Sequence, residues 1–252
     1  MADACDPRCY QAPPDLLRDR VILVTGAGAG IGRCAALTFA RYGATVILCG
    51  RTEAKLDPVY DAIVAAGAAE PVLAPLCLER ATEAEYRELA EHIQDQFGRL
   101  DGLLHNAGLL GQRTGIANYS ATVWTQVMQV NVTAQFLLTK ALLPALRQAP
   151  EASVLFTSSG VGRRGRAFWG AYAVSKFAVE GMSQVLAAEL ERTSNIRVNC
   201  INPGATRTDM RATAYPAEDP ATLKTPEQIM PAYLYLMGPD SRGVTGQSVD
   251  AQ

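Results

Sequence analysis

The sequence predicts one α/β domain built on a doubly wound, parallel β-sheet of about seven strands with helices on both faces. Three observations carry that expectation. Short apolar runs of strand length alternate with helical patterns along the chain. A glycine-rich turn follows the first of those runs and opens a helix. The polar motifs fall at the ends of strand runs or in the helices that follow them. Alternating β and α with short connections implies a parallel sheet, and ligands of such sheets bind beyond the carboxyl ends of the strands.

Taken in order, the strands are expected at 21–25, 45–49, 71–76, 102–105, 154–157, 196–201 and 247–250. Helices are expected at 31–42, 53–66, 83–97, 121–147, 173–192 and 226–237. Val21-Ile22-Leu23-Val24 is short, apolar and β-branched, the pattern of a strand buried on both faces. Gly43 stands where the first helix would need a left-handed C′ residue. The helix over 121–147 is apolar around much of its circumference, through Val123, Trp124, Val127, Val130, Phe136, Leu138, Leu142 and Leu143. Gln126, Gln129, Asn131, Gln135 and Lys140 interrupt it, so it is not a membrane span. In the helix over 173–192, Val174, Phe177, Ala178, Met182, Val185, Leu186 and Leu190 form an i, i+3, i+4 stripe, with Val179 and Ala187 off it. Both helices carry more apolar surface than one sheet face can cover. Residues 207–225, rich in Ala, Pro, Thr and charge, read as a lid or a disordered segment and are expected to cover the substrate.

The chain has 252 residues, 48% of them hydrophobic, enough for one sizeable core. Its formal net charge of −2 offers no electrostatic case for nucleic acid or an anionic membrane. Residues 1–18 are polar and Pro-containing, with no apolar core for a signal peptide, and are expected as a loose leader to a catalytic domain over 19–252. The six cysteines, Cys5, Cys9, Cys34, Cys49, Cys77 and Cys200, form no CxxC pair. With His92 and His105 in different elements, no metal site is expected. Reduced thiols in a cytoplasmic protein are the economical reading.

Thr25-Gly26-Ala27-Gly28-Ala29-Gly30-Ile31-Gly32 lies between the first strand and its helix. Glycines there allow a tight turn and let the backbone approach a pyrophosphate, which the helix N-terminus favours. Further along, Tyr172 and Lys176 are four residues apart, a spacing that puts phenol and ammonium on one helix face. A phenol with a pKa of about 10 is a poor proton carrier near neutrality. A fixed positive charge beside it lowers that value, and bringing it near pH 7 takes about 4 kcal/mol of local electrostatics. Ser159 ends a strand run thirteen residues upstream, where a hydroxyl can hydrogen-bond a substrate oxygen.

The TGxxxGxG spacing, Asn106-Ala107-Gly108, Asn131, Ser159, Tyr172, Lys176 and Asn202-Pro203-Gly204 together resemble the short-chain dehydrogenase/reductase family, in its small single-domain branch. The resemblance runs from Asp19 to Gln252 and extends to a bacterial group of oxidoreductases of unnamed substrate. It implies a Rossmann-type fold and a catalytic set of Ser159, Tyr172, Lys176 and Asn131, with Asn131 holding a water in a proton relay to Lys176. It also implies cofactor contacts at Gly26, Ala29, Gly30, Ile31, Gly32, Leu78, Asn106, Ala107, Gly108, Tyr172, Lys176, Pro203, Gly204, Thr206 and Thr208, the last toward the nicotinamide carboxamide. Two positions depart from the family: His105 replaces the usual Asn, and Cys77 the usual Asp at the adenine, which predicts weaker cofactor binding.

Arg51 ends the second strand, about twenty residues past the glycines, where an acid would select NAD(H). A guanidinium there offers a bidentate fork to a 2′-phosphate, so NADP(H) is preferred, with NAD(H) the alternative. Arg163, Arg164 and Arg166, with Phe168 and Trp169, read first as a solvated loop and next as contacts to a substrate anion. The expected protein is a reductase of ketones or 3-oxoacyl groups, or the matching alcohol dehydrogenase, with Tyr172 as general acid or base. The alternative is a cofactor-sensing binding protein with little turnover. The resemblance also implies a homodimer or homotetramer formed through the two long helices.

Overall fold

The structure, a computed structural model, describes residues 6–252. Its sheet has seven strands in the order β3-β2-β1-β4-β5-β6-β7, every neighbouring pair parallel. The strands are β1 (Val21–Thr25), β2 (Thr45–Gly50), β3 (Val72–Pro75), β4 (Gly102–His105), β5 (Ala152–Thr157), β6 (Ile196–Asn202) and β7 (Ser248–Asp250). The order reverses between β1 and β4, which opens a crevice at their carboxyl ends.

Side-chain alternation explains why the central strands are apolar throughout. Ile22 and Val24 of β1 enter one core with Val46 and Leu48 of β2, and Val21 and Leu23 enter the other with Ile47 and Cys49. Helix α1 (Gly30–Arg41) lies on the first face with α2 (Glu53–Ala65), while α3 (Glu83–Phe97) lies on the second. Gly43 follows α1 with φ +98°, the left-handed residue expected there. Thr82 and Glu85 close α3 with a reciprocal capping box.

The long helix differs from its expected form. It comprises α4 (Ala121–Met128), a π-helical turn Gln129–Thr133, and α5 (Ala134–Gln148). Helix α6 (Gly170–Leu190) turns Val179, Ser183, Ala187 and Leu190 inward, whereas Val174, Phe177 and Val185 of the apolar stripe are exposed. The 207–225 stretch is not a bare loop. It holds α7 (Asp209–Ala214), capped by Thr208, and a bridge between Thr206 and Lys224.

The expected loose leader is a second correction. Tyr10, Leu16 and Leu17 are buried in the core with α8 (Met230–Met237). The Leu17 amide donates to the Tyr42 carbonyl at 2.9 Å, and the Tyr10 hydroxyl donates to Asp240 at 2.6 Å. Helix α8 is apolar enough to need cover on two sides, and three side chains from a Pro-rich segment supply it. Cys5 and the start of the leader lie outside the described residues.

Candidate active site

The crevice is stitched together at Thr25, the last residue of β1. Its hydroxyl accepts from the amides of Asn106 at 3.0 Å and Ala107 at 3.1 Å, and the Asn106 side chain donates back to the Thr25 carbonyl at 3.2 Å. Gly26 has φ +68°, and a Cβ on it would sit 3.0 Å from the Ala107 backbone. The two strand-end loops therefore approach as closely as backbone allows. A side chain at Gly32 would collide with the Gly26 carbonyl. Helix α1 then starts with Ala29 as its N-cap, which supplies no side-chain hydrogen bond. Its first N–H groups are left for an anion, so a dinucleotide pyrophosphate fits this end of the crevice.

A cavity of about 300 Å³ opens there. Gly26, Ala29, Gly30 and Ile31 line it from the first turn, and Asn106, Ala107 and Gly108 from the loop after β4. Ser159 enters from the end of β5, and Tyr172 and Lys176 from α6. Pro203, Gly204, Thr206 and Thr208 complete it beyond β6. Helix α7 contributes Met210, Arg211 and Ala214.

Four expected residues lie elsewhere. Gly32 is packed behind the glycine turn, and Leu78 is buried in the second core. Arg51 is exposed beyond β2, with no ion pair among the described residues. Asn131 is fully buried behind the cavity, inside the π-helical turn. Its Oδ1 accepts from the Leu109 amide at 2.8 Å, and its Nδ2 donates to the Leu109 carbonyl and to Ser175 Oγ, both at 3.0 Å. Asn131 thus pins the loop after β4 to α6. A Cβ on Gly108 would lie 3.4 Å from Asn131 Oδ1 and 3.9 Å from Lys176 Nζ, so glycine keeps that space open.

Electrostatics at the pair run against the expectation for the phenol. Burial pushes Tyr172 up to about 12, only partly offset by a hydrogen bond with Ser159. Lys176 is itself brought down to about 8 by burial, with Cys200 and Glu180 opposing the fall. Its Nζ donates to the Thr157 carbonyl at 2.6 Å and sits 5.5 Å from the centre of the Tyr172 ring. Desolvation sets the direction, and the phenol keeps its proton at neutral pH.

His105 proves to be a core residue. It is buried, bonds Thr139 Oγ1 through Nε2 at 2.8 Å, and stacks on Phe156 at 4.7 Å. Burial lowers it to about 3, so it is neutral. The arginine loop is not simply solvated: Arg163 pairs with Asp250 at 2.8 Å and Glu180 at 3.5 Å, and Arg166 donates to the Tyr215 hydroxyl at 2.9 Å. Sequence reasoning missed Glu180, although Tyr172, Lys176 and Glu180 repeat at four-residue spacing. Among the described residues, no cluster of three or more His, Cys, Asp or Glu could hold a metal ion, and no helix is long and apolar enough to cross a membrane.

A doubly wound sheet whose switch-point crevice gathers a glycine turn, a serine and a Tyr–Lys pair defines an oxidoreductase of the dinucleotide-binding class. Residues 20–219 match the family described as short chain dehydrogenase, and the chain belongs to that family. It is 57% identical over 243 residues to the uncharacterized oxidoreductase YciK of Escherichia coli, covering 96% of each chain. A short chain dehydrogenase from Shigella flexneri 2a complexed with NADP superposes with a TM-score of 0.93 at 57% identity, over 95% of this chain and 100% of that one. One from E. coli CFT073 complexed with NADPH matches with a TM-score of 0.93 at 57% identity, over 95% of this chain and 99% of that one.

Proposed function

We propose that the protein interconverts a carbonyl and its secondary alcohol with NADP(H), preferred over NAD(H). One observation carries the reading: Ser159, Tyr172 and Lys176 share a single cavity with the glycine turn, where a nicotinamide and a small substrate would meet. The NADP and NADPH complexes of the two relatives support the cofactor, as does the charge of Arg51 at the end of β2.

When bound, the cofactor supplies or accepts the hydride. Tyr172 donates its hydroxyl proton to the carbonyl oxygen in reduction and takes it back in oxidation. Ser159 hydrogen-bonds the same oxygen and stabilises the charge that develops on it. Lys176 bonds the nicotinamide ribose and, when charged, favours the phenolate left after proton transfer. Asn131, through the gap that Gly108 keeps open, holds a water on a proton path to Lys176. Free thiols at Cys34, Cys49 and Cys200 support a cytoplasmic location, and exposed apolar side chains on α5 and α6 support a homo-oligomer.

Oxidation of NADPH across a library of ketones and 3-oxoacyl thioesters tests the reading. Tyr172→Phe should cut turnover by about 10²-fold or more while leaving NADPH binding within a few-fold. Near-parental activity of that variant would remove Tyr172 from the chemistry.

A further inference from the structure

Next to the cavity, behind its lining residue Trp169, cations outnumber the carboxylates that pair with them. Three arginines from three separate segments converge on Tyr215 and Trp169. The Arg113 guanidinium, from the loop after β4, lies 4.1 Å above the Trp169 ring and 5.2 Å from the Tyr215 ring, and its Nη1 donates to the Ala214 carbonyl at 2.8 Å. Arg166 donates to the Tyr215 hydroxyl at 2.9 Å. Arg211 stacks on the same Tyr215 ring at 3.9 Å and makes two hydrogen bonds of 2.6 Å to Glu218. Among the described residues, Glu218 is the one carboxylate paired with this group, and Arg113 and Arg166 have none. Even counting Asp209, which lines the cavity without joining an ion pair, positive charge is in excess. In a chain of net charge −2 that local excess is not a reflection of composition.

The wall beside these cations is apolar. Leu110, Trp169, Met210 and Ala214 line the cavity next to Tyr172. Trp169 is more than nine-tenths buried, yet its Nε1–H has no hydrogen-bond partner among the described residues. Next to it, Phe168 is 61% exposed and held at φ +68°. That region is rare for a bulky residue, and such strain gathers at ligand clamps. A guanidinium stacked on rings is fixed in plane and presents its free N–H edge as a fork for an oxyanion.

Resting on the carbonyl–alcohol reading above, the geometry points to a substrate with an apolar body and an oxyanion, carboxylate or phosphate, remote from the reacting oxygen. Arg113 is its principal contact and Arg166 the second. The apolar body lies against Trp169 and Met210, which leaves the carbonyl end at Ser159 and Tyr172.

The test needs a binding readout separate from turnover. The chain has two tryptophans, so Trp124→Phe leaves Trp169 as the only indole. In that background, with NADP⁺ present, Trp169 emission is titrated with 4-acetylbenzoate, 4-acetylphenyl phosphate and neutral 4-acetylbenzamide. NADPH oxidation by the same ketones is followed separately. At least one anion should bind about tenfold or more tighter than the amide, as a charge-assisted contact implies, and the better anion identifies the headgroup. That preference should fall toward unity in Arg113→Gln and shrink in Arg166→Gln. An amide that binds as well as both anions, binding of none of the three, or a preference that survives both substitutions would overturn the assignment. Anion-selective binding with no NADPH oxidation would instead strike the reductase reading and leave the anion site standing.

Discussion

Glu180 accepts a 2.5 Å hydrogen bond from Ser158, the residue immediately before Ser159. The same carboxylate oxygen accepts from Ser248 at 2.7 Å and is paired with Arg163 at 3.5 Å. One buried acid therefore ties the end of β5 to β7 and to the arginine loop. It also stands one helical turn beyond Lys176 and opposes the fall in that residue's pKa. The proposed oxygen-binding serine and the proposed charge on the lysine share a single support.

Glu180→Gln should separate those two effects. The amide keeps an oxygen for the two hydroxyls and removes the charge. Lys176 is protonated below its pKa, so lowering that pKa shortens the range in which it is charged. The basic limb of kcat/KM, near pH 8 in the free enzyme, should move to lower pH. Glu180→Ala should in addition leave the Ser158 hydroxyl buried without an acceptor, at a cost of about 1–3 kcal/mol in stability. A pH–rate profile and a denaturant titration read the two changes, and an unmoved basic limb would sink the electrostatic role.

Arg51 is exposed and has no ion pair among the described residues, so its guanidinium is accessible to a phosphate. Arg51→Asp would replace the proposed attraction to a 2′-phosphate with a repulsion. Loss of a charge-assisted hydrogen bond, about 1.5–3 kcal/mol, should reduce the NADPH-over-NADH preference by about tenfold or more. Fluorescence titration of both cofactors gives the ratio directly. An unchanged ratio would place selectivity at other residues.

The parts legible in the sequence are those whose geometry is local. The glycine turn and the Tyr172–Lys176 pair are fixed by spacing within one turn or one helix, so their convergence on the β1–β4 crevice follows once the strand order is given. Tyr10, Leu16 and Leu17 carry no periodicity, and only the packing of α8 shows that they are core. The π-helical turn at Gln129–Thr133 shifts a hydrogen-bond register without marking the residue pattern. Helix α7 is six residues long, too short for an amphipathic repeat to register. Arg113, Arg166 and Arg211 are far apart in the chain and meet only through tertiary structure around Tyr215.

His105 makes stability depend on pH in a defined direction. An unfolded histidine titrates near 6.5, whereas burial holds this one at about 3. Below pH 6.5 the unfolded chain binds a proton that the native state refuses, so stability falls as pH drops from about 6.5 toward 3, by up to about 1.4 kcal/mol per pH unit. Carboxylates held low by their partners, such as Glu151 beside Arg242 and Arg20, lose stability in the same direction at lower pH. The comparison with His105→Asn isolates the histidine, because it leaves those acids in place. Denaturant midpoints at pH 7 and pH 4.5 should differ less in the variant than in the parent. An equal difference would mean that His105 gains its proton in the native state.

The outward faces of α5 and α6 lead to the last prediction. Phe136 is 50% exposed, Phe177 46%, Val174 40% and Val185 60%, on two helices whose inward faces already cover the sheet. No segment among the described residues covers them. Apolar area of this kind is worth about 25 cal/mol per Å² when removed from water, and a self-complementary twofold contact removes it on both copies at once. A homodimer or homotetramer is expected at micromolar concentration. Phe136→Asp combined with Phe177→Asp places like charges on both sides of such a contact and should halve the sedimenting mass or reduce it further, while far-ultraviolet circular dichroism stays unchanged. A single species of monomer mass for the unsubstituted protein would refute the dimer.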